Sequence, residues 1–369
     1  MSRVSPSGNV VALYTTAESW RGASISFVNI ARGLARHGFN PHVIATSPEI
    51  ADELSRQGIQ VTQLPSERRM QAFRLRKRLA EIDAALVIVD RAHDLRVATR
   101  AVIGRRIGVI NRYNLFRSGI PDDLLTRIAY RDIVKEVVFL SNAARDRVLD
   151  GAPFMRATPS RTIYEGVDLE EFRPDTRAAD KFRKTFRIAS GFLLAVGALT
   201  AEKRYDFMFE SLAELGDEAP QLLVCGEGEE EERLSVRAMV RRVDVRFMGR
   251  LSHDQLVGAY NASLGLVHTG AVETFGLSVL EAMACGRPVV ASAGGALPEV
   301  VGADGGAGTL VDVDSIHETA SAIRCLFSEP EQAAATGARA RERAKMFPLS
   351  AMEDSYAALV KRHLPGTAS

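Results

Sequence analysis

The stretch Glu273-Thr274-Phe275-Gly276-Leu277-Ser278-Val279-Leu280-Glu281-Ala282-Met283-Ala284-Cys285-Gly286-Arg287-Pro288-Val289-Val290-Ala291-Ser292 runs from a loop into a helix and then into a strand. Phe275-Gly276 gives a tight entry. Leu277 to Ala284 puts good helix formers at helical spacing, and Cys285-Gly286 supplies the stop. Pro288 then opens the short apolar run of a buried strand. A helix N-terminus offers unpaired N–H groups and partial positive charge, so it suits a phosphate. Glu273 lies just before that anion site and Glu281 lies on the helix about two turns later. The arrangement suits a diphosphate with hydroxyl-rich groups at both ends, which describes a nucleotide-sugar.

Upstream, strand and helix signals alternate. Strands are predicted at 10–14, 42–46, 58–61, 85–89 and 137–140, with helices at 24–37, 48–57, 66–81 and 93–104. The pattern loosens over 151–173 and restarts. Strands follow at 192–196, 221–225, 245–247 and 264–268, with helices at 204–215, 229–242 and 253–262. Such alternation predicts an α/β protein with parallel sheets covered by helices on both faces. A chain of 369 residues fits two domains, with the boundary near 165–185. Net charge is +1, but residues 1–175 carry 26 Lys+Arg against 20 Asp+Glu and the remainder 21 against 26. The first half can meet an anionic partner; nucleic acid is not expected, because aromatic interleaving is thin. Cys225, Cys285 and Cys325 have no metal or redox spacing, and an odd, sparse count argues for a reducing compartment. No apolar run approaches the ~18 residues of a spanning helix. With no signal peptide read at the N-terminus, the expected location is cytoplasmic.

With Phe275-Gly276, Glu281-Ala282, Gly286, Pro288-Val289-Val290, Gly294-Gly295 and Pro298-Glu299 in register with Glu273, the segment resembles glycosyltransferase family 4. The resemblance implies the GT-B architecture: two Rossmann-like domains with parallel sheets facing across a cleft. Residues 1–168 would form the acceptor-side domain and 169–346 the nucleotide-sugar domain, with 347–369 a helix returning to the first. It also implies a retaining, metal-independent hexosyl transfer from a UDP-, GDP- or ADP-sugar to an acceptor hydroxyl, with no cofactor. The acceptor would be a glycan, glycolipid or small molecule, in cell-envelope or lipopolysaccharide synthesis. Glu273 would sit under the donor sugar and Glu281 would accept from the ribose hydroxyls. Phe275, Gly276 and Leu277 would offer backbone N–H groups to the diphosphate. Lys203, in Val196-Gly197-Ala198-Leu199-Thr200-Ala201-Glu202-Lys203-Arg204, would neutralise the departing diphosphate. The family usually has Arg where this chain has Ala198, and adjacent Arg204 is a candidate to compensate. Gly226, in Gly226-Glu227-Gly228, falls on the donor-side loop, and Met248, in Phe247-Met248-Gly249-Arg250, on the base-binding segment. In the first domain Gly22 matches the second glycine of a Gly-Gly pair whose first is replaced by Arg21. His93 matches the second His of a His-x-His-Asp run and would be a catalytic residue in contact with the donor sugar or acceptor, and Asn111-Arg112-Tyr113-Asn114 would line the acceptor side.

Two runs stand outside that set. Arg68, Arg69, Arg74, Arg76, Lys77 and Arg78 interleave with Met70, Phe73, Leu75 and Leu79, as in an interfacial helix on anionic lipid at the inner face of the cytoplasmic membrane; a solvated helix face fits equally. Asp312-Val313-Asp314 spells a metal-binding Asp-x-Asp, but its place between a strand and a helix reads as an N-cap. Two other functions share the architecture: a nucleotide-sugar epimerase or hydrolase, and a degenerate nucleotide-sugar-binding protein, which Ala198 and Arg21 would favour.

Overall fold

The computed structural model describes residues 9–20, 22–116 and 120–364. The chain divides into two compact units, residues 1–165 with 349–369, and residues 166–348.

In the first unit the strands are β1 (Val10–Thr15), β2 (Asn40–Ala45), β3 (Val61–Gln63), β4 (Ala84–Val89), β5 (Gly108–Tyr113), β6 (Val134–Phe139) and β7 (Ser160–Thr162). They form one sheet in the order β3-β2-β1-β4-β5-β6-β7, with every pairing parallel. Its helices are α1 (Gly22–Arg36), α2 (Pro48–Arg56), α3 (Gln71–Glu81), α4 (Ala92–Val102), α5 (Leu124–Ile128) and α6 (Asn142–Gly151), with a C-terminal helix, Leu349–His363. Alternate residues of β1 serve different cores. Val11 and Leu13 pack with α1 and the C-terminal helix, while Ala12 and Tyr14 pack with α3 and α4. This is the two-sided burial that continuous apolar strands predict. Gly33 lets α1 and the C-terminal helix approach closely, because a Cβ there would lie 2.5 Å from Glu353 Cγ.

The expected strand at 58–61 starts later, at Val61. Gly58 takes φ +75° and Ile59 N–H bonds Leu54 O, so these residues close α2 instead. The expected helix at 66–81 begins as a 3₁₀ turn, Arg68–Met70, before α3.

In the second unit, α7 (Thr176–Phe186) precedes β8 (Leu193–Val196), α8 (Tyr205–Ala213), β9 (Leu222–Cys225), α9 (Glu231–Val240), β10 (Val245–Gly249), α10 (His253–Ala262) and β11 (Leu266–His268). Then come α11 (Leu277–Ala284), β12 (Val289–Ser292), α12 (Leu297–Val301), β13 (Thr309–Val311), α13 (Ile316–Ser328) and α14 (Pro330–Ala344). The sheet order is β10-β9-β8-β11-β12-β13, again parallel. Strand order reverses between β8 and β11. In open α/β sheets ligands collect at such a switch, beyond the strand C-termini.

Candidate functional site

The loops that leave β8 and β11 carry Lys203 and Glu273 to that switch. Lys203 Nζ lies 2.5 Å from Glu273 Oε2, although the residues are seventy apart in sequence. Thr269 Oγ1 ties the two loops by reaching the carbonyls of Lys203 and Arg204, both at 3.1 Å. Glu273 Oε1 accepts from Thr274 N–H at 3.2 Å. His268, buried at the end of β11, brings Nε2 to 3.2 Å from Glu273 Oε2. Burial would raise the Glu273 carboxyl. The Lys203 charge and the His268 contact outweigh it and hold the group well below the usual carboxylate range.

Gly294-Gly295 forms a floor under this loop. A Cβ on Gly295, which takes φ +60°, would lie 2.2 Å from Glu273 O, and one on Gly294 would lie 2.2 Å from Ala271 O. Ala296 N–H bonds Glu273 O at 2.9 Å. Only glycine permits this approach.

α11 starts immediately past Glu273. Gly276 is its N-cap, with φ +100°, and provides no capping side chain. The first helical hydrogen bond is Leu280 N–H to Gly276 O, so Leu277 and Ser278 N–H have no acceptor within the helix. The Phe275 ring is buried edge-on against Phe347, which anchors the entry. One turn on, Glu281 Oε2 accepts from Tyr260 O–H at 2.7 Å. Burial pushes its carboxyl up to about 7, against the Tyr260 hydrogen bond.

Gly226, at φ +144°, sits where a Cβ would meet Gly197 O at 2.0 Å, so the loop after β9 lies on the loop that leads to Lys203. Gly226 N–H also bonds Gly249 O at 2.9 Å. Met248 is half-buried in β10, at the sheet edge. Arg204 turns elsewhere: its guanidinium meets Val313 O and Asp314 Oδ1 and stacks on Phe207. The cation expected to compensate for Ala198 is therefore spent on the β13–α13 turn. Asp312 and Asp314 serve that same turn, Asp312 Oδ1 accepting from Asp314 N–H at 2.8 Å. The N-cap there is Ser315.

In the first unit Gly22 opens α1, and Arg21 lies outside the described residues. His93, on α4, meets Gln71 Oε1 at 2.8 Å through Nε2. The run 111–114, expected to line an acceptor site, is largely interior. Arg112 is buried, with ion pairs to Asp90 and Glu165 on either side, and Asn114 Nδ2 donates to Asp90. The basic run is also partly consumed. Arg74 pairs with Glu67, Arg78 with Glu81, and Arg76 donates to Ala101 O and Ile103 O at the end of α4. Among the described residues no helix is long and apolar enough to cross a membrane.

His268 and Tyr260 went unread in the sequence. His268 closes an apolar strand and Tyr260 lies within a helix; only a polar side chain at a strand end, five residues before Glu273, marks the first.

Residues 177–343 match the family model of the glycosyl transferases group 1, and residues 20–171 match that of Glycosyltransferase Family 4. The chain belongs to glycosyltransferase family 4. A GDP-mannose-dependent alpha-(1-6)-phosphatidylinositol dimannoside mannosyltransferase of Mycobacterium tuberculosis is 36% identical to this family 4 chain over 180 residues, which is 48% of the chain and 46% of that protein. A D-inositol 3-phosphate glycosyltransferase of Catenulispora acidiphila is 34% identical over 224 residues, 56% of the chain and 52% of that protein. The chain thus spans about half the length of these curated relatives. Among solved structures, Anabaena HepE in complex with UDP-glucose superposes with a TM-score of 0.84 at 18% identity, covering 96% of this chain and 99% of that one. Sucrose-phosphate synthase of Thermosynechococcus elongatus gives 0.81 at 19%, covering 96% and 98%. At these identities the likeness is one of fold, and it fits the GT-B, two-sheet reading of this family 4 chain.

Proposed function

We propose that the chain is a retaining, metal-independent glycosyltransferase that moves a hexose from a nucleoside diphosphate to an acceptor hydroxyl. The observation that carries this reading is the Lys203–Glu273 pair, set at the switch point directly before the α11 N-terminus with Glu281 on the same helix. The diphosphate would lie on the Leu277 and Ser278 N–H groups, with Lys203 Nζ beside it. Charge that develops on the departing diphosphate then meets a fixed cation and a helix end. Glu273, kept ionised, takes the sugar hydroxyls and stabilises positive charge at the anomeric carbon. Glu281 and Tyr260 take the ribose. Attack would come from the face that the diphosphate leaves, with no protein nucleophile.

A donor of this class is supported by relatives named for GDP-mannose and by a structural neighbour in complex with UDP-glucose. The inositol in the relatives' names supports a hydroxyl-rich acceptor.

Thermal unfolding with UDP-, GDP- and ADP-sugars, chelator present, tests the donor site. One nucleotide is expected to raise the midpoint, and Glu281→Ala to abolish the shift. Absence of a shift with every nucleotide would overturn the reading and leave a degenerate site, with Ala198 as its first explanation.

A further inference from the structure

A second constellation lies on the first unit. His93, Arg96 and Arg100 follow one another at helical spacing on α4, so they share a face. His93 is half-buried; Arg96 and Arg100 are exposed. Gln71, the first residue of α3, fixes the ring. Its Nε2 donates to Ser66 O at 3.0 Å, which leaves Oε1 to accept from His93 Nε2 at 2.8 Å. The turn Arg68–Met70 leads directly into Gln71, so Arg68 stands three residues before the side chain that holds the ring. Burial, then the charges of Arg68, Arg96 and Arg100, hold the imidazole below its ordinary range.

Two of these cations share the α4 face of the ring, and the third precedes Gln71 in the chain. Among the described residues none of the three makes an ion pair or a hydrogen bond, whereas Arg74, Arg76 and Arg78 on neighbouring α3 are all engaged. Nearby acids are committed. Asp94 is buried and accepts from Thr16, while Asp123, whose carboxyl feels Arg96, caps α5 by accepting from Thr126 N–H. Arg91 stands as N-cap of α4 with no side-chain cap, so the positive end of that helix adds to the field. Clustered guanidinium forks with no ion-paired carboxylate match the oxygens of a phosphate group, which they bind in pairs.

We propose that Arg68, Arg96 and Arg100 form a phosphate-binding site around His93, for a soluble phosphate ester or a phospholipid headgroup. The site deepens the transfer reading by giving the acceptor a phosphate, and it rests on that reading only for the word acceptor. Exposed Met70 and Phe73 follow Arg68 in the chain and would meet acyl chains if the phosphate belongs to a lipid.

Binding of the full chain is measured by calorimetry with inorganic phosphate and glycerol 3-phosphate, and by co-sedimentation with phosphatidylcholine vesicles containing phosphatidylglycerol. Neither assay needs donor or turnover, so failure here is separate from failure of the donor site. The variant is R96Q/R100Q. The charge-matched control is R105Q/R106Q, just past the same helix, and unfolding midpoints confirm that both fold. Saturable binding is expected from the wild-type chain, weakened about tenfold or more in R96Q/R100Q and kept within about twofold in the control. Binding of glycerol 3-phosphate supports a soluble ester, and binding of vesicles alone supports a headgroup. Equal losses in both variants would mean diffuse surface charge and overturn the proposal, as would no saturable binding of any probe.

Discussion

In the proposed transfer the chemistry turns on Glu273, and its surroundings state what removing it should do. Lys203 Nζ and His268 both face Oε2, and Thr274 N–H faces Oε1. Glu273→Gln keeps the shape and removes the charge proposed to stabilise positive charge at the anomeric carbon. Transfer should fall by about 10²–10³-fold, the scale of losing one preorganised electrostatic partner. The unfolding midpoint should move little, because Lys203 is 27% exposed and can turn to water. Steady-state transfer beside thermal unfolding checks this, and a fully active Glu273→Gln enzyme would remove the mechanism. Glu281 makes a pH prediction. Its folded carboxyl titrates at about 7, above its ordinary 4.5. A raised pKa stabilises the ligand-free fold at low pH, and that contribution fades as pH climbs through the folded value. A ribose hydroxyl donates best to the ionised form. Donor binding should therefore tighten between about pH 6 and pH 8 with loss of a proton, and Glu281→Gln should flatten the dependence. Calorimetry in buffers of different ionisation enthalpy reads both.

Elements place these residues, and here the sequence was readable unevenly. Strand–helix alternation announced both parallel sheets, and Gly286-x-Pro288 announced the end of α11 and the start of β12. What escaped was long-range pairing. Nothing local in the segments around Lys203 and Glu273 says that their side chains meet, since contact depends on β8 and β11 being neighbours. Charge runs misled for the same reason. Arg112 reads as a polar residue near a strand end, yet it lies between Asp90 and Glu165, and four of the six cations at 68–78 are taken by partners that the sequence leaves unspecified. Gly294-Gly295, by contrast, was visible as part of a family motif but without a physical reason. The reason is the floor that it forms under the Glu273 loop. Gly295→Ala would force φ +60° on alanine and drive a Cβ against Glu273 O. A stability loss of about 1–3 kcal/mol is expected. Transfer should fall further than stability alone explains, because Glu273 must shift. Calorimetric unfolding with kcat measured well below the midpoint separates the two effects.

At the scale of the molecule, the chain crosses from one unit to the other twice, at Glu165–Gly166 and at Pro348–Leu349. The crossings have unequal consequences. Every residue of the candidate donor site, from Lys203 through Glu273 to Glu281, lies in the continuous segment 166–348, and Val167 N–H to Phe347 O at 3.0 Å fastens its two ends. A fragment of residues 166–348 should therefore fold and bind the same nucleotide as the full chain, with Kd changed less than about tenfold. The first unit is discontinuous. Met352, Tyr356, Leu359 and Val360 of the C-terminal helix are buried in the core shared with α1 and β1. Burying each such side chain contributes about 1.5–3 kcal/mol, so their loss is comparable with the roughly 5–15 kcal/mol that holds a domain folded. Glu353 would go as well, leaving Arg36 unpaired. Residues 1–165 alone should be unfolded or aggregated, and adding the helix back through a flexible linker should restore a cooperative transition. Circular dichroism melts of the three fragments decide it. A cooperative melt from residues 1–165 without the helix would show that the C-terminal segment is dispensable to the first unit's core.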